Sequence, residues 1–149
     1  MYSLHLKLNS FSFLRTKWKP PAEQDFKENE SNHEIDLNQI YGMSEIQTDM
    51  LRSIQGGRLK SQIIDGEEYP VFLFDQKTAA LKPEFKGLYT EENFDRVFGN
   101  SSKEHRLHCF AVGLEHGNST IGNTVMNTIF LREHNRVAEV IFCRPSRLG

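Results

Sequence analysis

Across residues 119–142, apolar side chains recur at steps of three, four and seven, with Ile121, Val125 and Ile129 on one row and Met126, Phe130 and Val137 on another. That spacing predicts one long helix with a broad apolar face to be buried, and Asn118 or Ser119 is suited to cap it. Within it the run LREHNR, at 131–136, sets five polar or charged residues side by side. Successive helical residues point about 100 degrees apart, so one or two of Arg132, Glu133, His134, Asn135 and Arg136 must face the interior and find partners there.

The remaining pattern is shorter in period and more broken. A helix is expected over 3–15, a polar Lys-, Glu-, Asn- and Pro-rich loop over 17–34, and a helical turn near 36–41. Ser44 with Gln47 has the form of a capping box, and Ile46, Met50, Leu51 and Ile54 then repeat at helical spacing until Gly56 and Gly57 stop the helix. Residues 58–64 and 67–72 flank Asp65-Gly66, a dipeptide that accepts the positive φ angles of a tight hairpin. Two strands alone are marginal in water, so the hairpin needs a neighbour to lie on. Residues 90–98 read as another short helix with Phe94, Val97 and Phe98 on one side. The chain is therefore expected to be mainly α with one small β-hairpin.

Composition narrows the function classes without choosing among them. The 149 residues are 38% hydrophobic, a little below the roughly 45–50% usual when glycine is counted as apolar. Eighteen basic against 20 acidic residues leave a net charge of −2, so there is no field to attract nucleic acid or an anionic membrane. No run reaches the roughly 18 apolar residues of a transmembrane helix. Residues 1–21 are basic and free of acid, a pattern a transit peptide could show, but no signal peptide is evident and the compartment stays open. Cys109 and Cys143 fit no disulfide framework. His105, His108 and Cys109 could approach a zinc site, yet no second ligand pair exists, and a surface loop leading into Phe110, Ala111 and Val112 is the expectation. Glu115 beside His116 is expected to line a pocket or face solvent rather than to act as an acid/base pair, and the 11 phenylalanines to pack a core.

Four segments carry a family resemblance. FAVG at 110–113 and NTIFLREHNRV at 127–137 resemble the animal-type haem peroxidase superfamily, whose shared helix carries LREHNR. IDLNQIYG at 35–42 and GRLKSQIIDGEEYP at 57–70 resemble its cyclooxygenase-like branch, in the same order. The resemblance covers about 31–141, with 1–10 and 143–149 unmatched, and implies that the chain is an incomplete part of a helical haem peroxidase domain. It implies haem b as cofactor, and peroxide and an unsaturated fatty acid as substrates of the complete enzyme. A distal His, a neighbouring Arg or Gln and a proximal His would carry the peroxidase chemistry, and a Tyr radical the oxygenation.

Carried over position by position, the distal His falls on Phe11 and the polarising group on Leu114, while the proximal His and the radical Tyr belong beyond residue 149. The resemblance thus leaves no catalytic residue here. It implies a haem-pocket wall of Leu114, His116, Asn118, Ser119 and Thr120, with Thr16 from the preceding helix, and His134 as a hydrogen-bonded structural residue. Two readings stand at this point. One is a piece of a haem peroxidase or fatty-acid dioxygenase that is inactive alone. The other is a non-catalytic truncated product or protein-interaction module without haem.

Overall fold

The structure, a computed structural model, describes residues 37–143. Phe11, Thr16, the expected helix over 3–15 and the polar loop lie outside the described residues. The observed order is α1 (Asn38–Tyr41), α2 (Glu45–Leu51), β1 (Ser61–Ile64), β2 (Glu67–Pro70), a 3-10 turn (Pro83–Phe85), α3 (Glu91–Phe98), α4 (Lys103–Leu107), a second 3-10 turn (Glu115–Asn118) and α5 (Ile121–Phe142). It is a mainly α architecture with one antiparallel hairpin.

Local chemistry explains most of the boundaries. The Ser44 hydroxyl accepts from the Gln47 amide at 3.3 Å, and the Gln47 side chain reaches back to the Met43 amide at 2.7 Å, so the box closes one residue earlier than its usual form. The Thr90 and Ser102 hydroxyls cap α3 and α4 by accepting from the Asn93 and His105 amides. Helix α2 ends at Leu51, short of Gly56 and Gly57. The reason is a competing pairing: Lys60 donates to the Leu51 carbonyl at 2.8 Å, Arg52 bridges Leu59, and the Ser53 amide donates to Arg58, which folds 52–59 into a closed loop. Ile54, read as part of the apolar stripe, is consequently 93% exposed. Residues 103–107, expected as loop, form the short helix α4 because Ser102 accepts from the His105 amide.

The hairpin turns at Asp65 (φ 51°) and Gly66 (φ 85°), the two left-handed positions a tight two-residue turn requires. Space around Gly66 is open, so Gly66→Ala meets no clash and suffers only the backbone strain. We expect a loss of about 1 kcal/mol in urea unfolding.

The core lies beside α5 rather than under its apolar rows. Leu73, Phe74, Phe85, Leu88, Tyr89, Phe98 and Cys109 form its centre, with Phe94 packed against it. Here the long helix departs from expectation. Ile121, Val125, Met126, Ile129, Phe130 and Val137 are all exposed, by 37 to 85%. The buried stripe is instead Asn127, Thr128, Leu131 and Asn135. Apolar periodicity marks the faces able to lose water, but the segments that α5 lies on present unpaired backbone groups, and those need amide side chains. Phe130 and Phe142 are likewise surface residues here, not core.

Candidate functional site

The segment carrying the candidate wall residues is held from four directions. The Ala111 amide donates to the Val71 carbonyl at 2.8 Å, and the Gly113 amide to the Gln39 carbonyl at 2.7 Å. The buried Tyr89 hydroxyl donates to the Val112 carbonyl at 2.6 Å. Burial raises the Tyr89 phenol well above its ordinary value, keeping it a donor. Asn118 closes the loop on itself: its Oδ1 accepts from the Phe110 amide at 2.8 Å and its Nδ2 donates to the Phe110 carbonyl at 2.9 Å. From α5, the Asn127 amide donates to the Gly117 carbonyl at 3.2 Å.

The predicted site residues sit unequally on this scaffold. Leu114 is half-buried, and His116, Ser119 and Thr120 are exposed. The Asn118 amide makes both its bonds to the Phe110 backbone. The cap of α5 is Thr120, not Asn118 or Ser119: its hydroxyl accepts from the Asn123 amide at 3.2 Å, while Ser119 accepts from the Asn123 side chain.

Sequence reasoning did not foresee the charged contact at Glu115. The Glu115 side chain is 11% exposed and accepts from Arg96 of α3 at 2.9 Å, with the His116 Nδ1 at 3.8 Å from the same oxygen. The His116 imidazole first, and the Arg96 guanidinium behind it, hold the Glu115 carboxyl below the ordinary carboxylate range against the opposing effect of burial. A carboxyl depressed in the folded state contributes stability that is present above its unfolded pKa and lost as pH falls through the folded one. Arg96→Gln is therefore expected to lower stability by about 1–2 kcal/mol at neutral pH, a value between surface and fully buried pairs. The gap to wild type should close below the carboxylate range, as read by unfolding midpoints across a pH series.

The LREHNR run resolves into a structural seam. Leu131 enters the core. Arg132 donates through Nε to the Glu68 carbonyl at 2.6 Å, pairs with Glu67 at 2.9 Å and lies over the Tyr69 ring at 5.0 Å. Asn135, 1% exposed, accepts from the Leu59 amide at 2.8 Å and donates to the Leu59 carbonyl at 3.3 Å and to the Glu68 carboxylate at 2.8 Å. Arg58 also reaches Glu68, at 2.9 Å. Burial opposes ionisation of Glu68, but the bonds from Ser61, Asn135 and Arg58 outweigh it and lower its pKa.

His134 is hydrogen-bonded as expected. Its Nε2 lies 2.9 Å from the Gly57 carbonyl, which can only accept, so that nitrogen carries the proton and Nδ1 accepts from the Tyr41 hydroxyl at 2.8 Å. Glu133 and Arg136 pair with each other on the surface. Beside His134, an open groove of about 590 Å³ is lined by Leu37, Tyr41, Gly57, Val137, Ile141 and Phe142 among others.

Among the described residues no three His, Cys, Asp or Glu side chains converge as a metal site. Burial pushes the Cys109 thiol up to about 12, and its Sγ donates to the His105 carbonyl at 3.2 Å. Cys143 is exposed and free. No helix of the described residues is long and apolar enough to cross a membrane.

The sequence profile of the animal haem peroxidase family matches residues 3–143. Prostaglandin G/H synthase 2 of Oryctolagus cuniculus is 33% identical over 109 residues, which are 73% of this chain and 15% of that protein. The Gallus gallus protein of the same name is 34% identical over 109 residues, with the same coverage. A peroxidasin homologue of Caenorhabditis elegans is 33% identical over 106 residues, 70% of this chain and 7% of that protein. The chain thus spans about 15% of the length of the synthases it matches. With its signature helix stitched to a hairpin and to the turn before α5, this chain belongs to the animal haem peroxidase family.

Proposed function

We propose that the chain forms one wall of the haem pocket of a cyclooxygenase-like haem peroxidase, together with the helix that supports that wall. In its complete form this enzyme would bind haem b, reduce peroxides and oxygenate unsaturated fatty acids. The observation that carries the reading is the physical tie between signature helix and wall: Asn127 of α5 holds the Gly117 carbonyl, so the turn bearing His116 is placed by the helix bearing LREHNR.

The residues present suit one side of a porphyrin. Half-buried Leu114 and the exposed row that starts at Ile121 offer apolar contact for the ring, while the His116 imidazole and the Ser119 and Thr120 hydroxyls offer polar contacts at its edge. Thr16 is assigned to the same pocket by resemblance alone. Haem, when bound, supplies the redox chemistry toward peroxide. This chain's part is to pack against it, exclude water and fix the pocket edge. With Phe11 and Leu114 at the distal positions and no iron ligand in the matched pattern, the chain alone is proposed to be inactive.

The module reading is weighed down by α5. Nine large apolar side chains on that helix are at least 37% exposed, from Ile121 to Phe142, more than a self-sufficient surface helix carries. Haem against the row that starts at Ile121, and helices of the same domain packed over the rest, would account for every one. The complete transcript tests the proposal. An in-frame iron-ligand His and a Tyr at the family's radical position downstream support it; a continuous coding sequence lacking both contradicts it.

A further inference from the structure

Asn-x-Ser/Thr triplets without a middle proline occur at Asn29, Asn100 and Asn118. That triplet is the acceptor pattern for an N-linked oligosaccharide, a bulky polar group carried on the surface. Asn29 lies outside the described residues. The fold treats the other two differently. At Asn118 the carboxamide is held at both ends by the Phe110 main chain, and the Ser119 and Thr120 hydroxyls both accept from Asn123. At Asn100 the residue is exposed, and its side chain makes no hydrogen bond among the described residues.

The turn between α3 and α4 is built to present Asn100. Its middle neighbour Ser101 is the one turned inward: the Ser101 amide and hydroxyl both donate to the Phe98 carbonyl, at 3.1 and 2.7 Å, and its Oγ accepts from Arg106 Nε at 3.0 Å. Arg106 also donates to the Phe98 carbonyl at 2.7 Å, which pins the corner to the end of α3. Ser102 is exposed, with an extended backbone at φ −65° and ψ 157°. Its hydroxyl accepts from the His105 amide at 3.1 Å, while its own proton has no acceptor among the described residues. The carboxamide and the hydroxyl two residues on are thus both open to an enzyme that reads the pair. The surroundings agree. Every exposed large apolar side chain of the described residues lies at or before Ile63 or at or after Ile121, so the α3–α4 corner presents no apolar surface that asks to be covered.

We propose that Asn100 is an acceptor site for an N-linked oligosaccharide, transferred from a lipid-linked oligosaccharide diphosphate. The Asn100 Nδ2 attacks C1 of the donor's terminal sugar. The Nδ2–C1 bond forms, the C1–O bond to the diphosphate breaks, the diphosphate leaves with that electron pair, and one Nδ2 proton passes to a base of the transferase. Neither partner is oxidised or reduced. The inference is independent of the haem-wall reading, since it uses only the α3–α4 turn.

The full chain, expressed in animal cells behind a cleavable secretory leader, tests this without haem. Peptide-N-glycosidase in heavy-oxygen water converts each glycosylated Asn to labelled Asp, which mass spectrometry reads site by site. The label is expected at Asn100 in most chains, and the gel-mobility step that it causes should vanish in Asn100→Gln. Ser102→Ala should abolish the label at Asn100 but also removes the α4 cap; Ser102→Thr keeps both cap and hydroxyl and should retain the label. Leader-processed chain whose Asn100 is unlabelled, whether or not Asn118 carries label, overturns the proposal. So does label that persists at Asn100 in Ser102→Ala.

Discussion

Gly113→Ala is expected to cost more than about 4 kcal/mol, the range reserved for forced backbone displacement. A Cβ built on Gly113 would run into the Asn38 carbonyl oxygen and the Gly42 amide nitrogen and would stand 2.9 Å from the Gly42 Cα. All three are main-chain atoms, so no side chain can rotate away. The clash also falls on the Gly113 to Gln39 bond at 2.7 Å, which joins this segment to α1, and on the Gly42 to Asn38 bond at 2.8 Å, which closes α1. Urea unfolding followed by circular dichroism, with amide exchange at Gly42, checks this. A midpoint near wild type with Gly42 still protected would show that α1 does not pack on residue 113 as described.

Asn135→Leu should cost on the order of 3 kcal/mol although it swaps a polar for an apolar side chain of similar size. The Leu59 amide and carbonyl would lose their partners in a buried site, and each stranded group costs about 1–3 kcal/mol. Glu68 would lose one of the bonds that keep it ionised. Arg136→Ala, at the next residue and on the solvent side, should stay within about 0.5 kcal/mol because its ion pair with Glu133 is exposed. Equal effects at the two positions would mean that the LREHNR run is not the asymmetric seam seen here.

How far the chain could be read without coordinates depended on whether a feature was local. The hairpin was legible because Asp65-Gly66 states its own φ angles, and α3 because Thr90 caps it three residues from Asn93. That Asn135 or a neighbour must be buried followed from helical geometry alone. The side of α5 that faces inward did not follow, since hydrophobic periodicity cannot register a need for backbone partners at Leu59 and Gly117, distant in sequence by 76 and 10 residues from the amides that meet it. The early end of α2 has the same origin, in the pairing of Leu51 with Lys60. In the candidate site, the Arg96–Glu115 pair spans 19 residues and left no local mark.

The central claim is that this chain supplies a wall and its supporting helix but no ligand to iron. Optical titration of the purified chain with ferric protoporphyrin IX tests it most directly. The account predicts only weak, unsaturated spectral change, without a one-to-one Soret band of an imidazole-ligated haem. A saturable band at one haem per chain would contradict it, because an iron ligand would then have to lie within these 149 residues.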